Sequence, residues 1–203
     1  IVRLVGSEMC IRDRQFGVKV IYDEVQTGFH LGREFFWHQQ FELKDSKNKQ
    51  IAPDYIVCAK KAQVGLVIFD RTNNPPQLNY SEQQFQVASV IRGYIHALGL
   101  DQLQANILEK EEIARKELHK LTKDYDQYIS RPRAMGLCFA FEVNDQEKVN
   151  EFIKLRFEHG LLFYPAGAKT LRFRLNTAFS AEDIQFLFNQ LRNIIKRIYQ
   201  NEK

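Results

Sequence analysis

The chain has 203 residues, of which 44% are hydrophobic, and a formal net charge of +4 at pH 7. This apolar content is enough for one domain, or for one domain and part of a second. Residues 110–123 carry both charge signs at helical spacing, which favours a solvated helix face over a nucleic-acid surface. No apolar run approaches the length of a membrane span, and Cys10, Cys58 and Cys138 are too widely spaced for a metal or disulfide pattern. These features favour a cytoplasmic protein with no metal, nucleic-acid or membrane partner.

The first 14 residues, IVRLVGSEMCIRDR, show neither helical nor strand periodicity and end abruptly before the hydrophobic segment FGVKVIYDEV. Because they resemble translated adaptor sequence, we expect residues 1–14 to be non-native and exclude them from the fold. The alternative is a natural terminus. If these residues are non-native, the natural protein begins further upstream and the chain is a fragment.

Short apolar runs predict two strands in the first half of the chain. Residues 18–22, VKVIY, are β-branched and aromatic, which is typical of a parallel strand buried on both faces. Residues 52–61, APDYIVCAKK, predict a second strand that ends at Lys60 and Lys61. Two strands do not make a stable sheet core alone, which again suggests that an N-terminal part is missing.

Helical periodicity extends over about residues 81–128, with a break near Gly99. Residues 136–143 then predict a strand, residues 145–160 a helix, and LLFYPAG and TLRFRLN two more short strands. Ser180 and Asp183 form a capping-box pattern at the start of the last helix. One face of that helix is apolar and predicts core packing: Ile184, Leu187, Phe188, Leu191, Ile194, Ile195 and Ile198.

The sequence therefore predicts an α/β fold in two parts. Residues 15–128 would be the remnant of a larger α/β domain with its connecting helix, and residues 129–203 a small C-terminal α/β domain.

Asp23 and Lys60 terminate the two predicted strands of the first part. Open α/β sheets bind ligands at the carboxyl ends of neighbouring parallel strands. An acid and a lysine in such a crevice form an ion pair by default. They are also what a pyridoxal phosphate site requires, because the lysine amine forms a Schiff base with the cofactor and the carboxylate holds the pyridine nitrogen protonated.

Two motifs favour the pyridoxal phosphate site over a simple ion pair. The segments DEVQTGF (23–29) and PDYIVCAKK (53–61) resemble the class III pyridoxal-phosphate aminotransferases. Within that family, KKAQV (60–64) and PAGAKTLRFR (165–174) are most similar to the lysine 6-aminotransferase branch, and RPRAMGLCFAFEV (131–143) resembles a family strand. The resemblance runs from about Phe16 to the end of the chain and covers only the C-terminal half of a family member.

This resemblance implies the C-terminal part of a fold-type-I transferase: the end of the large-domain sheet, a connecting helix and a small C-terminal α/β domain. It implies that Asp23 pairs with the pyridine nitrogen of pyridoxal 5'-phosphate, Val25 packs on the ring and Gln26 approaches the phenolic oxygen. Lys60 would be the Schiff-base lysine, and later the group that moves a proton between substrate and cofactor. Lys61 is expected to be structural or solvated.

Three further positions follow from the same resemblance. Arg172 matches the arginine that clamps a substrate carboxylate, with Arg174 as the fallback because strand alternation points both the same way. The alternative is that both are surface arginines on an edge strand. Ser81 stands where the family has a threonine that reaches the phosphate in the partner subunit, but the family's neighbouring glycines are missing.

The implied function is transamination in a homodimer, from an amino acid or diamino acid to 2-oxoglutarate, with the ε-amine of L-lysine as one candidate donor. Two alternatives stay open: a degenerate aminotransferase-like protein without turnover, and another fold-type-I enzyme such as a mutase or decarboxylase. Because the glycine-rich phosphate loop is absent from the sequence, we expect the chain in isolation to be inactive.

Overall fold

The computed structural model describes residues 16–41, 44, 47–48, 51–62, 65–70, 89, 92–93 and 99–200. Residues 1–14 and Ser81 lie outside this set. The chain divides into two compact units, residues 1–102 and 103–203. The assignment of residues 1–14, 15–128 and 129–203 to separate parts stays a prediction.

The first unit contains a three-stranded sheet of order β1-β2-β3. Its strands are β1 (Ile21–Asp23), β2 (Tyr55–Cys58) and β3 (Leu66–Phe69). As the apolar run 18–22 indicated for the first strand, β1 runs parallel to β2, with Asp23 opposite Val57. The third strand, which the sequence did not predict, is antiparallel to β2.

The expectation that the first strand is buried on both faces is wrong. Ile21 is 60% exposed and Val18 is 51% exposed. Within the described chain, the core of this unit lies on the face that carries Cys58, where Phe29 and Ala62 also pack. Since successive side chains of a strand alternate between faces, Ile21 and Asp23 lie on the opposite, open face.

The second unit is built on a four-stranded antiparallel sheet of order β4-β5-β7-β6. Its strands are β4 (Ile129–Met135), β5 (Cys138–Val143), β6 (Tyr164–Ala166) and β7 (Thr170–Arg174). Its helices are α1 (Leu100–Asp124), which begins just before the unit boundary, α2 (Gln146–Leu155) and α3 (Ala181–Gln200).

Aromatic side chains from one face of this sheet form the core of the second unit. Phe139 and Phe173 stack with their ring centroids 4.5 Å apart, and Phe188 of α3 lies 5.0 Å from Phe139. The predicted apolar face of α3 is confirmed, because all of its residues are buried except Leu187, which is half-buried. The capping box is confirmed as well, with reciprocal bonds between Ser180 and Asp183 of 2.8 and 3.2 Å.

A β-bulge interrupts β4, which the residue pattern did not predict as a separate strand. Ser130 pairs with Glu142 and Arg133 pairs with Ala140, so Arg131 and Pro132 together lie opposite a single residue of β5. Arg131 has a φ of 48°, a left-handed value that is uncommon for a non-glycine residue. Pro132, which lacks an N–H, is tolerated in a strand at such a place.

Candidate active site

The carboxyl ends of β1 and β2 form one edge of the first sheet, and this edge carries the predicted site. Asp23 is the last residue of β1. The next backbone N–H, of Glu24, donates to Val57 O at 2.8 Å and extends the pairing with β2. Lys60 follows β2 by two residues, at the start of the 3₁₀ turn Lys60–Ala62. The parallel pairing thus brings both residues to the same edge.

Gln26 and Lys60 are in direct contact at this edge. The ammonium Nζ of Lys60 donates a hydrogen bond to the amide Oε1 of Gln26. The Lys60 side chain is exposed and Gln26 is half-buried. An amide and an amine that are 34 positions apart in the sequence are therefore neighbours in the fold.

Asp23 presents its carboxylate to solvent on the open face of the sheet. Its Oδ1 accepts a hydrogen bond from the backbone N–H of Val25 at 3.0 Å. Val25 itself is half-buried. This bond, between residues two positions apart, fixes the carboxylate at the start of the turn that leads to Gln26.

The backbone of Lys60 is left-handed, with a φ of 56°. Such a conformation costs a non-glycine residue on the order of 1–3 kcal/mol, and it is concentrated at functional sites because surrounding structure must enforce it. The strain falls on the residue that the sequence assigns to catalysis.

Lys61 is structural, one of the two expectations for it. Its Nζ donates to Phe29 O at 2.8 Å and to His30 O at 3.4 Å. Phe29 and His30 are themselves left-handed, with φ values of 61° and 56°. The side chain of Lys61 therefore holds a strained pair of residues against the end of β2.

His30 is buried at 3% exposure, beside this lysine. Its Nδ1 lies 3.3 Å from Arg33 O, and its buried Nε2 has no hydrogen-bond partner in the described chain. Desolvation by burial lowers the pKa of His30, and the positive charge of Lys61 lowers it further. The hydrogen bond with Arg33 O acts in the opposite direction but does not outweigh burial. Since a carbonyl oxygen only accepts, Nδ1 is the donor in this bond.

Glu24 is the residue of this region that sequence reasoning missed. It is 3% exposed, and its carboxylate accepts hydrogen bonds from Thr27 Oγ1, Trp37 N (3.1 Å), His38 N (2.9 Å) and His38 Nδ1 (2.9 Å). Desolvation alone would raise its pKa, but these hydrogen bonds outweigh it and the pKa is lowered. The available signal was strand alternation, which places Glu24 on the core face when Asp23 lies on the open face.

The two predicted substrate arginines lie in the second unit. Arg172 and Arg174 are both exposed and share one face of β7, as strand alternation predicted. The alternative that they lie on an edge strand is wrong, because β7 pairs with both β5 and β6. The Arg172 guanidinium lies 5.9 Å from the ring centroid of Tyr164 on the neighbouring strand.

The groups at the edge of the first sheet fit pyridoxal phosphate chemically. The aldehyde and the phenolic oxygen of this cofactor are on adjacent ring carbons, so the amine and the amide that meet them must also be adjacent. Lys60 and Gln26 satisfy this condition. The pyridine nitrogen is on the other side of the ring and requires a carboxylate, which Asp23 supplies at the same edge.

Comparison with known proteins gives a consistent result. The family model described as Aminotransferase class-III matches residues 8–195. This match begins inside residues 1–14, whose origin stays a prediction. Across the described residues, no helix is both long enough and apolar enough to cross a membrane.

Curated relatives include the L-lysine-epsilon aminotransferase of Mycobacterium bovis, 26% identical over 192 residues that cover 89% of this chain and 41% of the relative. The mitochondrial 4-aminobutyrate aminotransferase of Sus scrofa is 24% identical, covering 90% of this chain and 36% of the relative. The chain thus spans well under half the length of these relatives.

Solved structures with the same fold include lysine aminotransferase from M. tuberculosis in the internal aldimine form. It aligns with a TM-score of 0.76 and 23% identity, covering 94% of this chain and 44% of that one. An S-selective transaminase from Arthrobacter sp. aligns with a TM-score of 0.77 and 18% identity, covering 96% of this chain and 47% of that one.

Proposed function

The chain belongs to the class III aminotransferase family, and on that premise we propose that the protein transfers amino groups with pyridoxal 5'-phosphate held at the edge formed by Asp23, Gln26 and Lys60. The observation that carries the proposal is the contact of Lys60 Nζ with Gln26 Oε1, at the sheet edge where β1 ends with Asp23. The amine and the amide that this cofactor needs are in contact, and the acid lies at the end of the neighbouring strand.

When bound, the cofactor supplies an aldehyde that condenses with amines and a protonated ring that accepts electrons from the substrate's breaking C–H bond. In this proposal Asp23 keeps the ring nitrogen protonated, Val25 packs on one ring face and Gln26 approaches the phenolic oxygen. Lys60 Nζ binds the cofactor and, once released, carries the proton taken from the substrate carbon. Ser81, outside the described residues, is proposed for the phosphate across a homodimer.

The proposed amino donor is an amino acid with a terminal primary amine, and the proposed acceptor is 2-oxoglutarate. Support comes from the relatives, which are named for the ε-amine of lysine and for 4-aminobutyrate. Arg172 is the proposed partner of the substrate carboxylate and Arg174 its alternative, since both guanidinium groups share one exposed face. A bidentate arginine matches a carboxylate in charge and in shape.

The test uses the protein expressed from its complete reading frame, together with a Lys60→Ala variant. We expect reduction with borohydride in the presence of pyridoxal phosphate to leave a mass tag on Lys60, and the alanine variant to lose it. An untagged Lys60 would favour the non-catalytic alternative. Transfer of an amino group from lysine or 4-aminobutyrate to 2-oxoglutarate then separates a transaminase from other enzymes that use the same cofactor.

The remaining proposals concern assembly and location. We propose a homodimer, because the implied phosphate contact comes from the partner subunit. The proposed compartment is the cytoplasm, on the ground that Cys10, Cys58 and Cys138 are too widely spaced for a disulfide framework. Sedimentation and fractionation would test these two points.

A further inference from the structure

The turn that carries Gln26 is closed by one residue, Glu24, through both its backbone and its buried side chain. The backbone of Glu24 is bound twice: its N–H donates to Val57 O at 2.8 Å, and its carbonyl accepts from Gly28 N at 2.9 Å. Its carboxylate accepts from the hydroxyl of Thr27. Gln26 therefore lies between Glu24 and Thr27, which the Glu24 carboxylate joins.

The carboxylate is also anchored to a distant segment of the first unit. It accepts hydrogen bonds from the backbone N–H groups of Trp37 and His38 at 3.1 and 2.9 Å, and from the His38 ring at 2.9 Å. With the Thr27 hydroxyl, four donors converge on the two oxygens of Glu24. A carboxylate accepts hydrogen bonds on both oxygens, whereas an amide of the same shape accepts on only one.

The anchor is itself packed. The His38 ring lies 4.9 Å from the Tyr22 ring and stacks on Phe36 at 5.8 Å. Tyr22 directly precedes Asp23 in β1. The anchor thus contacts the strand that carries the carboxylate of the site, and the turn anchored to it carries the amide.

From this geometry we infer that Glu24 is a positioning residue, which holds Gln26 against Lys60 by tying the turn to the backbone of Trp37 and His38. Glu24 touches neither the cofactor nor the substrate in this scheme. Replacing it should let Gln26 move away from Lys60 while leaving Lys60 in place. The inference rests on the proposed function, because it assigns Glu24 a role toward the same site.

The test measures how fast pyridoxal phosphate attaches to Lys60 in the complete protein, by borohydride trapping and peptide mass analysis. Lys116, whose side chain is 70% exposed in the second unit, serves as the internal reference. We expect Glu24→Gln to lower the ratio of Lys60 to Lys116 labelling about tenfold, since hydrogen bonds to a charged group are lost. The matched control is Glu112→Gln, an exposed acid of α1 that pairs with Lys116, with labelling normalised to another exposed lysine, Lys120.

Two threonine variants keep the inference testable if Glu24→Gln does not fold. Thr27→Val removes one donor to the carboxylate and should lower the ratio about threefold, whereas Thr27→Ser keeps the hydroxyl and should restore it. If Thr27→Val acted only by destabilising the fold, its thermal unfolding midpoint would fall, and Thr27→Ser would not restore the labelling ratio.

The outcomes separate the two proposals. If Lys60 of the wild-type protein takes no tag, the proposed function fails. If wild-type Lys60 is tagged and the glutamine and valine variants react within twofold of it, Glu24 has no positioning role and the inference is overturned.

Discussion

Replacing Lys61 with methionine removes an ammonium group that binds Phe29 O at 2.8 Å and His30 O at 3.4 Å. The shorter bond is a charge-assisted one, and losing such a bond costs about 1.5–3 kcal/mol. The longer one adds little at that distance. Because Phe29 and His30 are both left-handed, their strain is no longer opposed in the variant. We therefore expect Lys61→Met to reduce the free energy of unfolding of the first unit by about 2 kcal/mol.

The chain contains one tryptophan, Trp37, and it lies in the first unit. Its fluorescence in a urea titration reports unfolding of that unit, while among the described residues the helices that contribute to circular dichroism at 222 nm, α1, α2 and α3, lie almost entirely in the second. With a urea dependence of roughly 1–2 kcal/mol per molar, a loss of about 2 kcal/mol lowers the fluorescence midpoint by about 1–2 M. The circular dichroism midpoint should not move.

The neighbouring Lys60→Met variant is the control, since that side chain is exposed and contacts a side-chain amide instead of two strained backbone carbonyls. It should cost no more than about 0.5 kcal/mol, as is usual for exposed positions. If the two variants had the same midpoint, or if Lys61→Met matched the wild type, the assignment of Lys61 as the structural lysine would be refuted.

Three more predictions use the same two probes. A Cβ at Gly28 would lie 2.9 Å from the backbone oxygen of Glu24. Gly28→Ala should therefore lower the fluorescence midpoint by the equivalent of about 1–3 kcal/mol. The control is Gly65→Ala, whose Cβ would have no atom within 4 Å and which should leave the midpoint unchanged. Burial raises the pKa of Glu24 but its hydrogen bonds lower it overall, so its stabilising contribution is present above the unfolded pKa of about 4.3 and is lost as the pH falls through the folded pKa. The fluorescence midpoint of wild type should therefore fall toward that of Glu24→Gln as the pH is lowered through this range, since the variant lacks the contribution at every pH. Because Phe188 is fully buried, Phe188→Ala should lower the free energy of unfolding of the second unit, followed by circular dichroism, by about 3–5 kcal/mol. Phe186 on the same helix is 52% exposed, so Phe186→Ala should change that free energy by less than about 1 kcal/mol.

The sequence predicted the edge of the first sheet well because two short apolar runs each end in a chemically distinctive residue. Strand ends of this kind are local features, and they placed Asp23 and Lys60 at the ends of neighbouring strands, which the structure shows to be parallel. The role of Glu24 could not be predicted in the same way. Strand alternation could place Glu24 on the core face, but its donors Trp37 and His38 lie 13 and 14 positions away, and the local pattern does not specify them.

The residue pattern did not predict a separate strand around Pro132, for a related reason. Proline argues against a strand interior, because it has no N–H for the ladder. The bulge removes this objection by leaving Arg131 and Pro132 outside the regular pairing. Whether a strand contains such an irregularity depends on its partner strand, which the local pattern does not specify.

The same bulge affects how the strand can change length during evolution. In a regular strand, one inserted or deleted residue moves every following side chain to the other face of the sheet. In β4 the extra residue is confined to the pair Arg131–Pro132. On either side of this pair, Ser130 lies opposite Glu142 and Arg133 lies opposite Ala140. Glu142 and Ala140 are two positions apart in β5 and so share one face. Deleting Pro132 would therefore give a regular ladder in which Ile129 and Ala134 keep their present faces. The second unit can thus gain or lose one residue here without exchanging its core for its surface.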